Sequence, residues 1–264
     1  GRAIKGRRAD LQLLTKYGLR WDAEVGEEYF ETTTPDGRAV KIYRNARPES
    51  VIYECEQSLR RLGTDHIDVY QCHWRDHSTP VEATMEAVDR LLKQGKILAA
   101  GLSNFTPEDM ETARQAVPLA SDQPPYSMVL RDIEQDVLPY CREHGIGVIV
   151  YSPLQRGLLT GKITEDYQFG EGDHRAGNAF FRPENVRKVN AFLDRIRPIA
   201  EAHDATLAQL AVNWAISQPG VTAALVGARN VRQAKENARA AGFTLSDEEM
   251  GQINAWLDEL GLDV

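Results

Sequence analysis

Cysteine is scarce and offers no pairing pattern. Cys55, Cys72 and Cys141 are odd in number and far apart, and none sits in a CxxC or Cys/His ligand spacing. This excludes a disulfide scaffold and a thiolate zinc centre, predicts no bound metal, and implies a reducing, cytoplasmic setting. Long apolar runs are missing too. None approaches the ~20 residues needed to span a bilayer, and nothing resembles a signal peptide, so no membrane role is expected. Positive charge is in deficit: 31 Lys and Arg against 39 Asp and Glu give a net charge of −8. Counterion displacement from a nucleic-acid backbone needs clustered cations, so sequence-independent nucleic-acid binding is excluded. A local basic pocket for one phosphorylated small molecule is still allowed. The chain begins Gly1-Arg2-Ala3 without a methionine, and the expectation is that the true N-terminus lies upstream.

What is present is a globular composition, 42% hydrophobic and 27% charged over 264 residues, enough for one large α/β domain. Short runs that are apolar on both faces predict strands at Leu11–Thr15, Ile67–Cys72, Ile97–Leu102, Leu119–Gln123, Gly147–Tyr151 and Thr222–Val226. Amphipathic stretches between them predict helices. One runs from Arg47-Pro48 to Leu62 with Gly63 as its stop, and one from about Pro80 to Gln94 ends at Gly95. Thr106-Pro107-Glu108-Asp109 has an N-cap, a proline at the first helical position and acids in the first turn. Further helices are expected over Ile133–His144, Pro183–His203, Thr206–Gln218, Val231–Ala241 and Asp247–Leu260, and Gly1–Gly6 reads as a helix tail. Glu28–Thr33 and Arg38–Tyr43 flank Thr34-Pro35-Asp36-Gly37, which predicts a β-hairpin inserted over residues 28–43.

Alternating strands and helices mean a parallel sheet with crossover helices. A nucleotide-binding open sheet would show a GxGxxG turn after its first strand; Gly145-Ile146-Gly147 lacks the third glycine and leads into a strand. The fold expected is therefore an α/β TIM barrel, (β/α)8, with about six of its βα units present, as a single domain over residues 1–264. In such a barrel the strand ends carry the chemistry. Here they read Thr15-Lys16-Tyr17-Gly18, Gln71-Cys72-His73-Trp74, Ser103-Asn104-Phe105, Asp122-Gln123, Tyr151-Ser152-Pro153 and Gly227-Ala228-Arg229. The last of these leads into a helix, and backbone N–H groups plus a guanidinium make an anion site.

Six stretches in order, GRRADLQLLTKYG, SLRRLGTDHIDVYQCHW, GKILAAGLSNF, SDQPPYS, YSPLQRGLLTGK and LVGARNVRQAKEN, resemble the aldo-keto reductase family, its bacterial NADP-dependent branch above all, from Gly1 to about Leu260. The resemblance implies NADP(H)-dependent carbonyl reduction by direct hydride transfer. A tyrosine acts as general acid, a lysine lowers its pKa, an aspartate pairs with the lysine, and a histidine orients the carbonyl. By motif position Lys16 is the lysine and His73 the histidine. The aspartate and tyrosine belong upstream of Gly6, so the chain is expected to be N-terminally incomplete; Tyr17 and Tyr43 stand at the wrong positions to replace the acid.

The resemblance also implies the cofactor contacts. Ser103, Asn104 and Gln123 hold the nicotinamide carboxamide, and Tyr151 stacks on the ring. Ser152, Leu154, Gln155, Gly157 and Leu158 lie along the pyrophosphate, with Lys162 and Arg175 closing over it. Gly227, Ala228, Arg229 and Gln233 surround the 2′-phosphate, and Glu236 and Asn237 hold the adenine. Trp74 and Trp21 are expected to wall a pocket for a small aldehyde, ketone, sugar or polyol. A monomer or weak homo-oligomer is expected. The competing reading is an NADP-binding regulatory subunit or a catalytically inactive truncated reductase.

Overall fold

The computed structural model describes residues 1–264 and divides into two compact units, Gly1–Pro124 with Pro139–Val148, and Pro125–Leu138 with Ile149–Val264. In the first unit, β1 (Leu14–Tyr17) is followed by a three-stranded antiparallel insertion of β2 (Leu19–Arg20), β3 (Glu27–Thr33) and β4 (Ala39–Arg44), ordered β2-β4-β3. Then come α1 (Pro48–Leu62), β5 (Ile67–Cys72), α2 (Val81–Lys93), β6 (Ile97–Leu102), α3 (Pro107–Ala116) and β7 (Leu119–Asp122). Helix α4 (Val137–His144) precedes β8 (Gly147–Tyr151), whose first two residues pair with β7. All of these sheet pairings are parallel, in the order β1-β5-β6-β7-β8.

The register lines up one row across these strands: Lys16, Gln71, Gly101, Ser121 and Gly147. Side chains in one row share a face, so Lys16 and Gln71 project the same way. The next row, Tyr17, Cys72, Leu102, Asp122 and Val148, projects to the other face. That face is covered by helices, where Val51, Cys55, Met85, Val88, Leu91 and Met110 are all buried.

The second unit continues β8 and adds α5 (Pro183–Ala202), α6 (Leu207–Ile216), β9 (Val221–Leu225), α7 (Val231–Ala238) and α8 (Asp247–Asp258). Its core centres on Trp214, which stacks on Tyr126 at 5.4 Å and donates to the Asn254 side chain at 2.8 Å. Thr206 with Gln209, and Ser246 with Glu249, form reciprocal capping boxes that start α6 and α8. No helix is long and apolar enough to cross a membrane.

Six strands alternating with helices give the expected α/β, TIM-barrel class of fold with about six βα units. Three predicted strands have the expected bounds, and the hairpin forms as expected. Other expectations need correction. The first strand starts three residues later than predicted, because Leu11–Leu13 are held by a side chain: the Leu13 N–H donates to Asp68 Oδ2 at 2.7 Å, and Arg8 pairs with the same oxygen. The strand also runs two residues further, to Tyr17, so Lys16 is the penultimate residue of β1 and not beyond it. The single helix expected over Ile133–His144 is a 3-10 turn at Asp132–Glu134 followed by α4. Pro139 would clash with the carbonyl four residues back in a longer helix, so α4 begins where that proline falls in its first turn. Gly1–Gly6 is not a helix tail but a set of turns ending in a left-handed glycine, φ +79° at Gly6. Strand β9 is only partly covered, with Leu225 42% exposed, so its apolar run does not mark a fully buried strand.

Candidate active site

The sheet row carrying Lys16 ends against the histidine. The His73 main-chain N–H donates to the Tyr17 carbonyl at 2.9 Å, extending the β1–β5 ladder one residue past β5. Lys16 and His73 line one cavity of about 380 Å³ together with Thr15, Trp21, Glu54 and Arg61. Burial pushes the His73 imidazole down to about 4, and the positive charge of Lys16 adds to the effect. Burial also lowers the Lys16 ammonium. At neutral pH the pair is a cation beside a neutral imidazole, and the latter can donate a hydrogen bond without surrendering a charge. Tyr17 points the other way. It is fully buried against Tyr70, with ring centroids 4.7 Å apart, and burial holds its phenol well above the usual range. This is the opposite of what a general acid needs, in line with its exclusion on sequence grounds.

The turn after β1 is fixed by a carboxylate that sequence reasoning missed. Gly18 adopts φ +95°, and its N–H is shared by both Glu54 carboxyl oxygens at 3.1 and 3.2 Å. Ser50 donates to the same carboxyl at 3.1 Å, and Arg20 donates to Ser50 at 2.8 Å. Burial raises the Glu54 carboxyl to about 7, with these hydrogen bonds opposing it.

A cluster of amides and hydroxyls continues along the next strand ends. Asn104, held at φ +63°, donates from its side chain to the His73 carbonyl at 3.1 Å and to Ser103 Oγ at 3.0 Å. Ser103 Oγ donates to the Gln123 carbonyl at 2.8 Å. The Gln123 side chain donates to Gln71 Oε1 at 3.3 Å, and the Gln71 amide donates to the Leu102 carbonyl at 3.4 Å. The structure therefore brings His73, Ser103, Asn104 and Gln123 into one hydrogen-bonded set. It adds Gln71, whose only signal in the sequence is an uncharged polar residue two before the histidine, near the end of β5. Behind this set, Asp122 is fully buried, neither of its carboxyl oxygens has a hydrogen-bond partner, and burial raises it to about 7.

The hairpin docks next to the histidine through a stack. Arg44, at the end of β4, places its guanidinium 4.1 Å from the Tyr29 ring and 5.5 Å from the Trp74 ring, and pairs with Glu27 at 3.0 Å. Glu27 also accepts from the His77 main chain at 3.3 Å. Trp74 is thus engaged under the hairpin, whereas Trp21 is 61% exposed at the mouth of the cavity.

In the second unit, Tyr151 ends β8 and its carbonyl accepts from the Tyr126 main chain at 3.1 Å. Ser152, Gln155, Arg156 and Gly157 all adopt positive φ, folding Leu154–Thr160 into a tight, kinked loop. Gln155 and Leu158 are buried, and Arg156 between them is exposed. Lys162 is exposed. Arg175 clamps Asp173 at 2.6 Å and reaches the Arg156 carbonyl at 3.3 Å, tying its own segment to that loop. At the start of α7, Asn230 is the N-cap, accepting from the Gln233 N–H at 2.9 Å, while the Gln233 side chain accepts from the Arg229 N–H at 2.7 Å. Asn237 donates to the Gly227 carbonyl at 3.2 Å, which leaves Gly227 and Ala228 in a braced turn. Arg229 is exposed and makes no ion pair; Glu236 lies 3.8 Å from Arg232.

A lysine beside a neutral imidazole at adjoining parallel strand ends, flanked by convergent amides, is chemistry that suits an oxidoreductase acting on a carbonyl or alcohol. Residues 1–258 match the Aldo/keto reductase family model, and the chain belongs to that family. It is 36% identical over 261 residues to the aldo-keto reductase YhdN of Bacillus subtilis, covering 98% of this chain and 74% of that one. It is 35% identical to the NADH-specific methylglyoxal reductase of Escherichia coli, with coverages of 94% and 75%. Among solved structures, the glycerol dehydrogenase of Gluconobacter oxydans superposes with a TM-score of 0.88 at 36% identity, covering 98% of this chain and 75% of that one. The chain thus spans about three quarters of the length of these relatives. The matches lend no support to the expectation of a lost N-terminal catalytic segment, and no position of this chain is assigned as the aspartate or tyrosine. Proteins of this family use nicotinamide cofactors.

Proposed function

We propose that this protein reduces a small aldehyde or ketone reversibly to the alcohol, with NADPH as the nicotinamide cofactor. The observation that carries the reading is the adjacency of Lys16 and a neutral His73 at the ends of β1 and β5. When bound, the reduced cofactor supplies hydride to the carbonyl carbon. His73 donates a hydrogen bond to the carbonyl oxygen and orients it as negative charge develops. Lys16 holds positive charge at the same place, favouring the charged form of a neighbouring proton donor.

The residues present suit a nicotinamide dinucleotide. The Ser103, Asn104 and Gln123 cluster matches a carboxamide in hydrogen-bonding chemistry, with Tyr151 as the stacking ring. The kinked loop of Ser152, Leu154, Gln155, Gly157 and Leu158 suits a pyrophosphate, with Lys162 and Arg175 as its cations. The turn of Gly227, Ala228 and Arg229, braced by Gln233 and Asn237 and followed by Glu236, presents an unpaired guanidinium at a helix start, as a 2′-phosphate requires. Trp21 and Trp74 are proposed to flank the substrate, a small hydroxylated carbonyl compound. Residues 1–264 are read as one reductase domain, cytoplasmic, acting as a monomer or weak homo-oligomer.

The test is loss of reduced-nicotinamide absorbance with NADPH and with NADH, across a panel containing methylglyoxal, glyceraldehyde and a simple aromatic aldehyde. Turnover that prefers NADPH supports the reading. Turnover that prefers NADH would place the protein beside its Escherichia coli relative. Tight NADPH binding without turnover on any carbonyl would favour a cofactor-binding regulatory subunit.

A further inference from the structure

The buried polar groups of the first unit are not all explained by the residues that a cofactor would touch. Gln71 is 1% exposed in the middle of a parallel sheet, where an apolar side chain would serve the core better. Its surroundings show why it is there. Gln71 on β5 lies in register with Gly101 on β6, and Gly101 with Ser121 on β7. A Cβ at Gly101 would fall 2.8 Å from Gln71 Cγ and 2.8 Å from Ser121 Oγ. No alanine fits there, although the backbone of Gly101 is not in the left-handed region. The glycine is required for space, and that space is filled by Gln71 crossing over β6 to reach Gln123, one residue past β7.

The direction of the two amides follows from one fixed acceptor. The Leu102 carbonyl can only accept, so the Gln71 amino group must face it, at 3.4 Å. Gln71 Oε1 is then the end turned toward Gln123, and it accepts from Gln123 Nε2 at 3.3 Å. Gln123 therefore cannot flip: its amino end is tied inward, and its Oε1, which accepts no hydrogen bond from the protein, is the end left for a ligand.

We propose that Gln71 is a positioning residue for cofactor binding, reaching across Gly101 to lock the Gln123 amide so that its carbonyl oxygen is presented to the amino group of a nicotinamide carboxamide. This rests on the functional reading given above. It predicts a defect confined to the nicotinamide end of the cofactor, because Gln71 touches nothing that would hold the adenosine end.

The experiment titrates the full chain with NADP⁺ and, separately, with 2′-phospho-ADP-ribose, which is the same molecule without nicotinamide, following both by calorimetry. Gln71→Met keeps the length of the side chain and removes both hydrogen bonds; Gln71→Glu, in the protonated form that burial favours, keeps a donor for the Leu102 carbonyl and an acceptor toward Gln123. The expected result is that Q71M binds NADP⁺ roughly five- to tenfold more weakly, the value of about one hydrogen bond. It should bind 2′-phospho-ADP-ribose as wild type does. Q71E should recover NADP⁺ affinity to within about twofold of wild type, as expected for one retained hydrogen bond. Equal weakening of both ligands in Q71M would mean that the residue only supports the fold, and unchanged NADP⁺ binding would mean that Gln123 needs no lock; either result overturns the proposal. Should wild type itself bind the two ligands equally well, the nicotinamide reading of the Ser103, Asn104 and Gln123 cluster falls, and this inference with it. Unfolding midpoints of the two variants, measured alongside, separate a destabilised sheet from a mispositioned amide.

Discussion

Replacing Asp122 with asparagine should make the protein more stable at pH 8 and leave it no better at pH 4. Asp122 sits on the helix-facing side of β7, fully buried, with neither carboxyl oxygen in a hydrogen bond. Burial raises its carboxyl to about 7, and the Gln123 and Phe105 main-chain N–H groups, which lie near it but outside hydrogen-bond geometry, offset only part of that. In the unfolded chain the same group titrates near 3.9. Between those two values the folded protein holds a proton that the unfolded chain has lost. Folding stability therefore falls as pH rises from about 4 to about 7, and is level above that. A difference of roughly three pH units at ~1.4 kcal/mol each corresponds to about 4 kcal/mol lost by pH 8. Asparagine has the same shape and no charge to desolvate, but its amide donors would be left unpaired at a cost of about 1–3 kcal/mol. The variant should thus gain on the order of 1–3 kcal/mol over wild type at pH 8, and lose its advantage at pH 4. Urea unfolding followed by tryptophan fluorescence at pH 4, 5, 6, 7 and 8 gives the comparison directly. Glu54, raised in the same direction, is present in both proteins and cancels in the difference. A difference between variant and wild type that does not change across this range would refute the reasoning, because it would mean that Asp122 ionises in the folded protein as it does in water.

Three further outcomes follow from the site. Lys16→Met should lower turnover by about 100-fold or more while changing the NADPH dissociation constant by less than about threefold, because the ammonium acts on the reacting oxygen and its proton donor; steady-state rates set against a binding titration decide, and weakened binding with intact turnover would end that role. Arg229→Ala should weaken NADPH by roughly tenfold or more, the worth of a charge-assisted contact, with little change for NADH; equal losses for the two cofactors, measured by titration, would show that Arg229 does not face a 2′-phosphate. Arg44→Met should release the hairpin from Trp74, since a guanidinium stacked on two rings and paired with Glu27 contributes about 1–2 kcal/mol. Limited proteolysis at the exposed Thr34–Gly37 turn should then run several-fold faster, and an unchanged cleavage rate would count against the stack as the clamp.

The elements legible in the sequence are those whose pattern is local. Pro48 and Gly63 mark α1 at both ends because one lacks an N–H and the other reaches φ +63°. The Pro-Asp-Gly turn announces its hairpin for the same reason. The first-strand expectation failed because a distant group decides. The start of β1 is set by Asp68 and Arg8, more than fifty residues apart in sequence, and no periodicity in Leu11–Tyr17 records that. The site divides along the same line. Lys16 and His73 stand out because they are charged or titratable at strand ends. Gln71 is an uncharged residue within a strand, Glu54 is one acidic residue on an amphipathic helix, and Arg44 is one of several cations on a hairpin. Each acquires meaning only through a partner brought to it by the fold.

Gly101 shows how the two kinds of information join. In the sequence it is a glycine inside an apolar strand, which weakens a sheet and calls for a reason. The register supplies the reason by placing it between Gln71 and Ser121, in the row that begins with Lys16. Absence of a side chain at the middle strand lets a polar side chain from one neighbour reach the other, so a buried amide finds its partner two strands away. An interior polar link of this kind adds little net stability, since each hydrogen bond replaces one made to water, but it leaves Gln123 a single orientation. On the other face of the same strand, Asp122 has no such link, and its carboxyl oxygens remain unpaired. The end of β7 therefore joins a satisfied amide facing the site to an unsatisfied acid facing the helices. The two make opposite predictions: loss of the first should impair binding without unfolding the protein, and neutralisation of the second should stabilise the fold at high pH without altering cofactor affinity.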